Sequence, residues 1–130
     1  MGEETKEKKV EGKILVVEDD DDSRYALCMI LKALGYEPLD FGSPEEALEG
    51  VKGETIALAM LDIMMPNMNG YELMTKLKEL PNCKDVPVIM VTAKDEYEEI
   101  LEGYNTGVDY YITKPFTSKQ IEYGLKLFLD

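Results

Sequence analysis

Six apolar residues, Ile56-Ala57-Leu58-Ala59-Met60-Leu61, run without a polar break into one carboxylate, Asp62, and Pro66 follows four residues later. An uninterrupted apolar run of this length reads as a strand covered on both faces, as in a parallel sheet with helices on either side. Asp62 stands where that strand leaves the sheet. Ligands and chemistry collect beyond the carboxyl ends of strands in open α/β sheets, although aspartate is equally at home in a plain turn. The neighbouring segments decide between the two.

A short β-branched strand at 13–17 ends in five consecutive acids, Glu18-Asp19-Asp20-Asp21-Asp22. Asp21 or Asp22 is expected to cap the next helix, 23–34, whose Leu27, Ile30, Leu31 and Leu34 form one stripe before Gly35. That accounts for the last acids but leaves Glu18 and Asp19, which emerge from the strand itself. A weaker strand at 37–41 contains Pro38 and is expected at an edge. Ser43-Pro44-Glu45-Glu46 begins a second helix with an N-cap serine, a proline at the first helical position and a capping box.

After the central strand, a third helix is expected over about 70–80, with Leu73, Leu77 and Leu80 inward. Gly70 is expected to open it in a conformation other residues resist. A second apolar strand, 86–91, ends in Thr92-Ala93-Lys94, and Tyr97, Ile100, Leu101 and Tyr104 mark a fourth helix. Tyr110-Tyr111-Ile112 leads into Thr113-Lys114-Pro115-Phe116, and Thr117 or Ser118 caps a last helix with stripe Ile121, Leu125 and Phe128. Residues 1–12, mostly Glu and Lys, read as a mobile lead-in, leaving 13–130 as one domain. Five strands alternating with five helices make an α/β, doubly wound parallel sheet of order 2-1-3-4-5.

Composition narrows the chemistry. The chain has no histidine, which excludes His-based acid–base catalysis, Ser-His and Cys-His nucleophiles, and histidine metal ligands. A net charge of −13 repels phosphate backbones and anionic membranes, so neither direct nucleic-acid binding nor membrane association is expected. Cys28 and Cys83 have no knuckle spacing and read as free thiols in a reducing compartment. With no apolar leader and no run of membrane-spanning length, a cytoplasmic location is expected.

All βα loops of such a sheet open on one edge, where Glu18, Asp19, Asp62, Thr92 and Lys114 would meet. Three carboxylates suit a hard divalent cation, with Mg²⁺ the expected one. A lysine and a threonine hydroxyl suit phosphoryl oxygens. Carboxylate, metal, ammonium and hydroxyl are what phosphoryl transfer asks for, since it depends on positioning and charge stabilisation more than on acid–base work.

Four segments then carry a resemblance: Ile14-Leu15-Val16-Val17-Glu18-Asp19, Leu61-Asp62-Ile63-Met64-Met65-Pro66-Asn67-Met68-Asn69-Gly70, Val91-Thr92-Ala93 and Lys114-Pro115-Phe116. Four such signatures in order, each at a strand end, resemble the CheY-like response regulator receiver domain of two-component signalling, within the flavodoxin-like folds. The resemblance implies that Asp62 accepts a phosphoryl group from a sensor histidine kinase or phosphotransfer protein. It also implies that Glu18, Asp19, Asp62 and the backbone carbonyl of Met64 hold Mg²⁺. Thr92 and Lys114 would meet the phosphoryl group, and Tyr111 would relay the change. The output is the face of the fourth helix, fifth strand and fifth helix, read by a downstream effector protein. Glu18 departs from the aspartate more usual there, so metal binding with altered geometry is expected. Met64 and Lys94 stand where the family tunes loss of the phosphoryl group.

A phosphohydrolase with an aspartyl nucleophile would need a second acid two residues on, where Met64 stands. The expectation is therefore not an enzyme acting on other substrates, but a domain that catalyses only its own phosphorylation and dephosphorylation. A flavin-binding alternative would place a phosphate against five acids, which repel it. Tyr123 and Leu127 lie opposite the buried stripe of the last helix and suggest a partner or homodimer surface.

Overall fold

The computed structural model describes residues 10–93 and 107–129. Strands β1 (Lys13–Val17), β2 (Pro38–Phe41), β3 (Ile56–Asp62), β4 (Val88–Ala93) and β5 (Tyr110–Lys114) form one sheet. Its order is β2-β1-β3-β4-β5 with every neighbouring pair parallel, as the alternating pattern predicts. Helices α1 (Asp21–Ala33), α2 (Pro44–Gly50), α3 (Gly70–Leu77) and α4 (Ser118–Leu129) connect or follow the strands. The lead-in at 1–9, the expected helix bearing Tyr97, Ile100, Leu101 and Tyr104, and Lys94 lie outside the described residues.

Side chains on β1 and β3 alternate between two cores, because successive residues of a strand point to opposite faces. Leu15, Val17, Ala59 and Leu61 pack with Leu73, Met74 and Leu77 of α3 and Ala47 of α2. Ile14, Val16, Leu58 and Met60 pack with Leu27 and Leu31 of α1 and with Ile121 and Leu125 of α4. Both faces are covered, which is why β3 carries no polar residue before Asp62. Both cysteines are buried free thiols, and burial raises Cys28 to about 11, so they pack rather than react.

The local rules hold with three corrections. Ser43 Oγ accepts the Glu46 N–H at 3.2 Å, with Pro44 next in line. Helix α1, however, is capped by Asp20 and not by Asp21 or Asp22. Asp20 keeps an extended backbone and accepts the Ser23 N–H at 2.8 Å, so its successors are already helical. Helix α3 ends at Leu77 rather than near Leu80, with Lys78 as its cap. Leu80 still faces the core, because the turns after the helix preserve its spacing. Thr117 rather than Ser118 accepts the Gln120 N–H at the start of α4, at 3.1 Å.

Gly70 is the third correction. It is not among the positive-φ residues; it is needed for space. A Cβ there would lie 2.4 Å from the carbonyl oxygen of Asp62, and the Gly70 N–H donates to the Ile63 carbonyl at 2.9 Å.

Leu31 is wholly buried while Met29, on the same helix, is 49% exposed. Leu31→Ala should therefore cost about 2–5 kcal/mol, and Met29→Ala within about 0.5 kcal/mol of zero. Urea denaturation midpoints of the two variants test this; equal losses would show that α1 packs by some other face.

Candidate functional site

Parallel strands end together on one edge, and the register sets which ends are neighbours. Val17 pairs with Leu61, so Glu18 and Asp62 leave adjacent strands at the same level. Asp62 pairs with Val91, one residue before Thr92, and Ala93 pairs with Lys114. The edge thus gathers Glu18, Asp19, Asp62, Thr92 and Lys114.

Glu18 and Asp62 are 4% and 6% exposed, while Asp19 is open to solvent. One carboxylate oxygen from each of the three lies within 4.8 Å of the others. Two buried carboxylates so close cannot both stay charged cheaply. Burial, then the charge and hydrogen bond of Glu18, push Asp62 up to about 7; the Lys114 ammonium and the Met64 N–H pull the other way without prevailing. Lys114 Nζ lies 2.6 Å from Glu18 Oε1 and 3.6 Å from Asp62 Oδ1. Burial alone would lower the lysine, but the surrounding acids outweigh it and raise it. The ammonium therefore stays charged and sits nearer the glutamate than the aspartate, a pairing the sequence does not reveal.

Thr92 is completely buried, and its Oγ1 has no hydrogen-bond partner among the described residues. A buried hydroxyl left unpaired costs about 1–3 kcal/mol, a cost that any acceptor reaching it would relieve. Met64 follows in the β3–α3 loop with its side chain 59% exposed. Tyr111 is half-buried on the α3 side of the sheet, its hydroxyl 2.7 Å from that of Tyr71 on α3. Tyr110 turns to the other face against Tyr123 and Phe128 of α4. Two residues with no signal in the sequence also touch the acidic turn. Asp20 donates its N–H to Glu18 Oε2 at 3.1 Å, and Arg24 reaches the Glu18 carbonyl.

Asp62 has a proton affinity in the fold above its ordinary value of 3.8. Its contribution to stability is complete below that value and is lost as pH rises through about 7. In the presence of a chelator, Asp62→Asn should be more stable than the parent protein at pH 8, and the gap should close as pH falls toward 4. Denaturant titrations across that range check it; a variant less stable at pH 8 would show that the crowding is relieved some other way.

The family model for the response regulator receiver domain matches residues 14–126. The phosphate regulon transcriptional regulatory protein PhoB of Escherichia coli is 35% identical over 88% of this chain and 50% of its own length. The transcriptional regulatory protein SrrA of Staphylococcus aureus is 37% identical over 89% of this chain and 47% of its own. The chain spans about half the length of these relatives. Among solved structures, a CheY-like receiver domain protein of Methanospirillum hungatei matches with a TM-score of 0.83 at 32% identity, covering 93% of this chain and 95% of that one. Vibrio cholerae chemotaxis protein CheY4 matches with a TM-score of 0.85 at 26% identity, covering 92% and 100%. With its family model, its relatives and its fold in agreement, this chain belongs to the response regulator receiver domains, the phospho-accepting modules of two-component signalling.

Proposed function

We propose that Asp62 is the phospho-acceptor and that the transfer depends on Mg²⁺. The observation that carries this reading is the burial of Asp62 against Glu18 and Lys114, in a pocket whose acids raise its proton affinity. A buried acid crowded by like charge has most to gain from a cation or a covalent partner.

The donor set fits a hard divalent ion: three carboxylates with oxygens within 4.8 Å, and no soft ligand among them. Glu18, Asp19, Asp62 and the Met64 carbonyl would hold it. A magnesium ion is coordinated in the active-site cleft of the 22% identical receiver domain of sensor histidine kinase PA1611 from Pseudomonas aeruginosa. When bound, Mg²⁺ would neutralise charge on the carboxylates and on the phosphoryl oxygens.

The donor would be a phosphohistidine of a sensor kinase or phosphotransfer protein. An Asp62 oxygen attacks phosphorus in line, the P–N bond breaks, and its electron pair stays on the imidazole, leaving an acyl phosphate on Asp62. Lys114 turns from Glu18 toward the new phosphoryl oxygens, a point charge on a flexible stem. The Thr92 hydroxyl, without a partner among the described residues, would gain an acceptor. Tyr111 shares its strand with Lys114 and would follow Thr92, altering the face of β5 and α4 for a downstream effector; the fourth helix expected from the sequence for that output lies outside the described residues. Tyr123 and Leu127, 59% and 46% exposed on α4, would belong to that face or to a homodimer contact. Opposite charges placed at both should weaken such binding; unchanged partner binding and self-association would remove them from it. With Met64 where a second acid would act, turnover is confined to the protein's own phosphoryl group. A cytoplasmic setting goes with this reading, and no helix among the described residues is long and apolar enough to cross a membrane.

Intact-mass measurement after acetyl phosphate treatment should show one added phosphoryl group that requires both Mg²⁺ and Asp62. No adduct on the parent protein would leave a phosphorylation-independent binding module. An adduct retained by Asp62→Asn would place the acceptor on another carboxylate.

A further inference from the structure

Arg24 is the only arginine in the chain; every other basic residue is lysine. It lies in the first turns of α1 with its side chain 21% exposed, and each of its three nitrogens has a different partner. Nη1 donates to the Glu18 carbonyl at 2.8 Å, Nη2 to Asp21 Oδ1 at 2.7 Å, and Nε lies 3.2 Å from Asp40 Oδ2. One planar fork therefore ties together the exit of β1, the start of α1 and the edge strand β2. A lysine, a single point charge, cannot span three directions.

The fork meets the metal-binding turn at its first acid. The Glu18 N–H donates to the Phe41 carbonyl at 3.2 Å, and its own carbonyl accepts from Arg24, so the main chain of Glu18 is pinned on both sides. Only its side chain remains to meet Lys114, Asp20 and the pocket. Room for the guanidinium comes from β2's end: a Cβ at Gly42 would lie 3.0 Å from Nη1.

We propose that Arg24 is a positioning residue for the cation. Its guanidinium holds the β1–α1 turn in the shape that presents Glu18 and Asp19 to the pocket. The proposal rests on the Mg²⁺-dependent reading of Asp62.

Charge and geometry pull in opposite directions here, which makes the test decisive. Removing a positive charge beside the pocket should, by Coulomb attraction alone, draw Mg²⁺ more strongly. Loss of positioning should weaken binding, by about tenfold or more on the scale set by residues that orient metal ligands. The experiment is a titration of the ¹⁵N-labelled protein with MgCl₂, following amide shifts, for the parent, Arg24→Gln, Arg24→Lys and Gly42→Ala. Urea midpoints and the rate of phosphorylation by acetyl phosphate are measured beside it.

The expected result is weaker Mg²⁺ binding in both Arg24 variants, including Arg24→Lys, in which the charge is kept, and a smaller change in Gly42→Ala, where only the tip of the side chain has to give. Phosphorylation should slow at low Mg²⁺ and recover at saturation, a split that mere loss of stability would not produce. Unchanged or tighter binding in Arg24→Gln would overturn the proposal, as would full recovery in Arg24→Lys, which would leave charge alone in the role. If Arg24→Gln fails to fold, Arg24→Lys decides alone, and parent-like affinity in it overturns the proposal. A parent protein with no saturable Mg²⁺ binding would instead remove the metal reading itself.

Discussion

Everything at the carboxyl edge follows from placing Glu18 and Asp62 side by side with little water between them. Lys114 relieves part of the repulsion from 2.6 and 3.6 Å, and it does so incompletely, since Asp62 still binds its proton far more tightly than an exposed acid. The two-sided burial of β1 and β3 creates this situation. Covering both faces of the central strands removes the water that would screen their terminal acids, so the packing that stabilises the sheet also sharpens the electrostatics at its rim. Stability from the buried apolar side chains of both cores offsets what the crowded acids cost.

Much of this was legible in the sequence because it depends on pattern. The apolar run into Asp62, the alternation of strand and helix, and the edge position of a strand containing Pro38 follow from burial and backbone chemistry alone. The site's members were legible for the same reason: once strands are parallel, residues at their carboxyl ends share an edge. What remained hidden depends on contacts between distant segments or on a single backbone angle. The α1 cap moved to Asp20 because the chain stays extended one residue longer than the run of acids suggests. The reciprocal cap of Asn69 and Glu72 has the right spacing in the sequence, but it is masked by a loop dominated by methionine and asparagine. Arg24's partners include Asp40, which only the pairing of β1 with β2 brings near.

The adjacent tyrosines of β5 show how one strand serves two layers. Tyr110 packs with the aromatic residues of α4, and Tyr111 meets Tyr71 on α3 from the other side. A displacement of β5 is thereby felt on both faces of the sheet. The hydroxyl pair also links the first turn of α3, which begins beside Asp62, to a strand that ends in Lys114.

Gly70 gives the β3–α3 loop an unusual division of freedoms. The loop leaves Asp62 and returns to it, since Gly70 lies against the Asp62 carbonyl and bonds to the next one. A loop closed on itself in this way has no slack in length. An inserted or deleted residue would be transmitted straight to the backbone of Asp62. Yet Met64, Pro66, Asn67 and Asn69 point outward between those fixed ends. Of these, Met64 and Pro66 are the freest to change, whereas Asn67 takes a positive φ of 73° and Asn69 caps α3. Such a segment can diversify in chemistry while its span is frozen, which lets the surroundings of a buried carboxylate be tuned one side chain at a time.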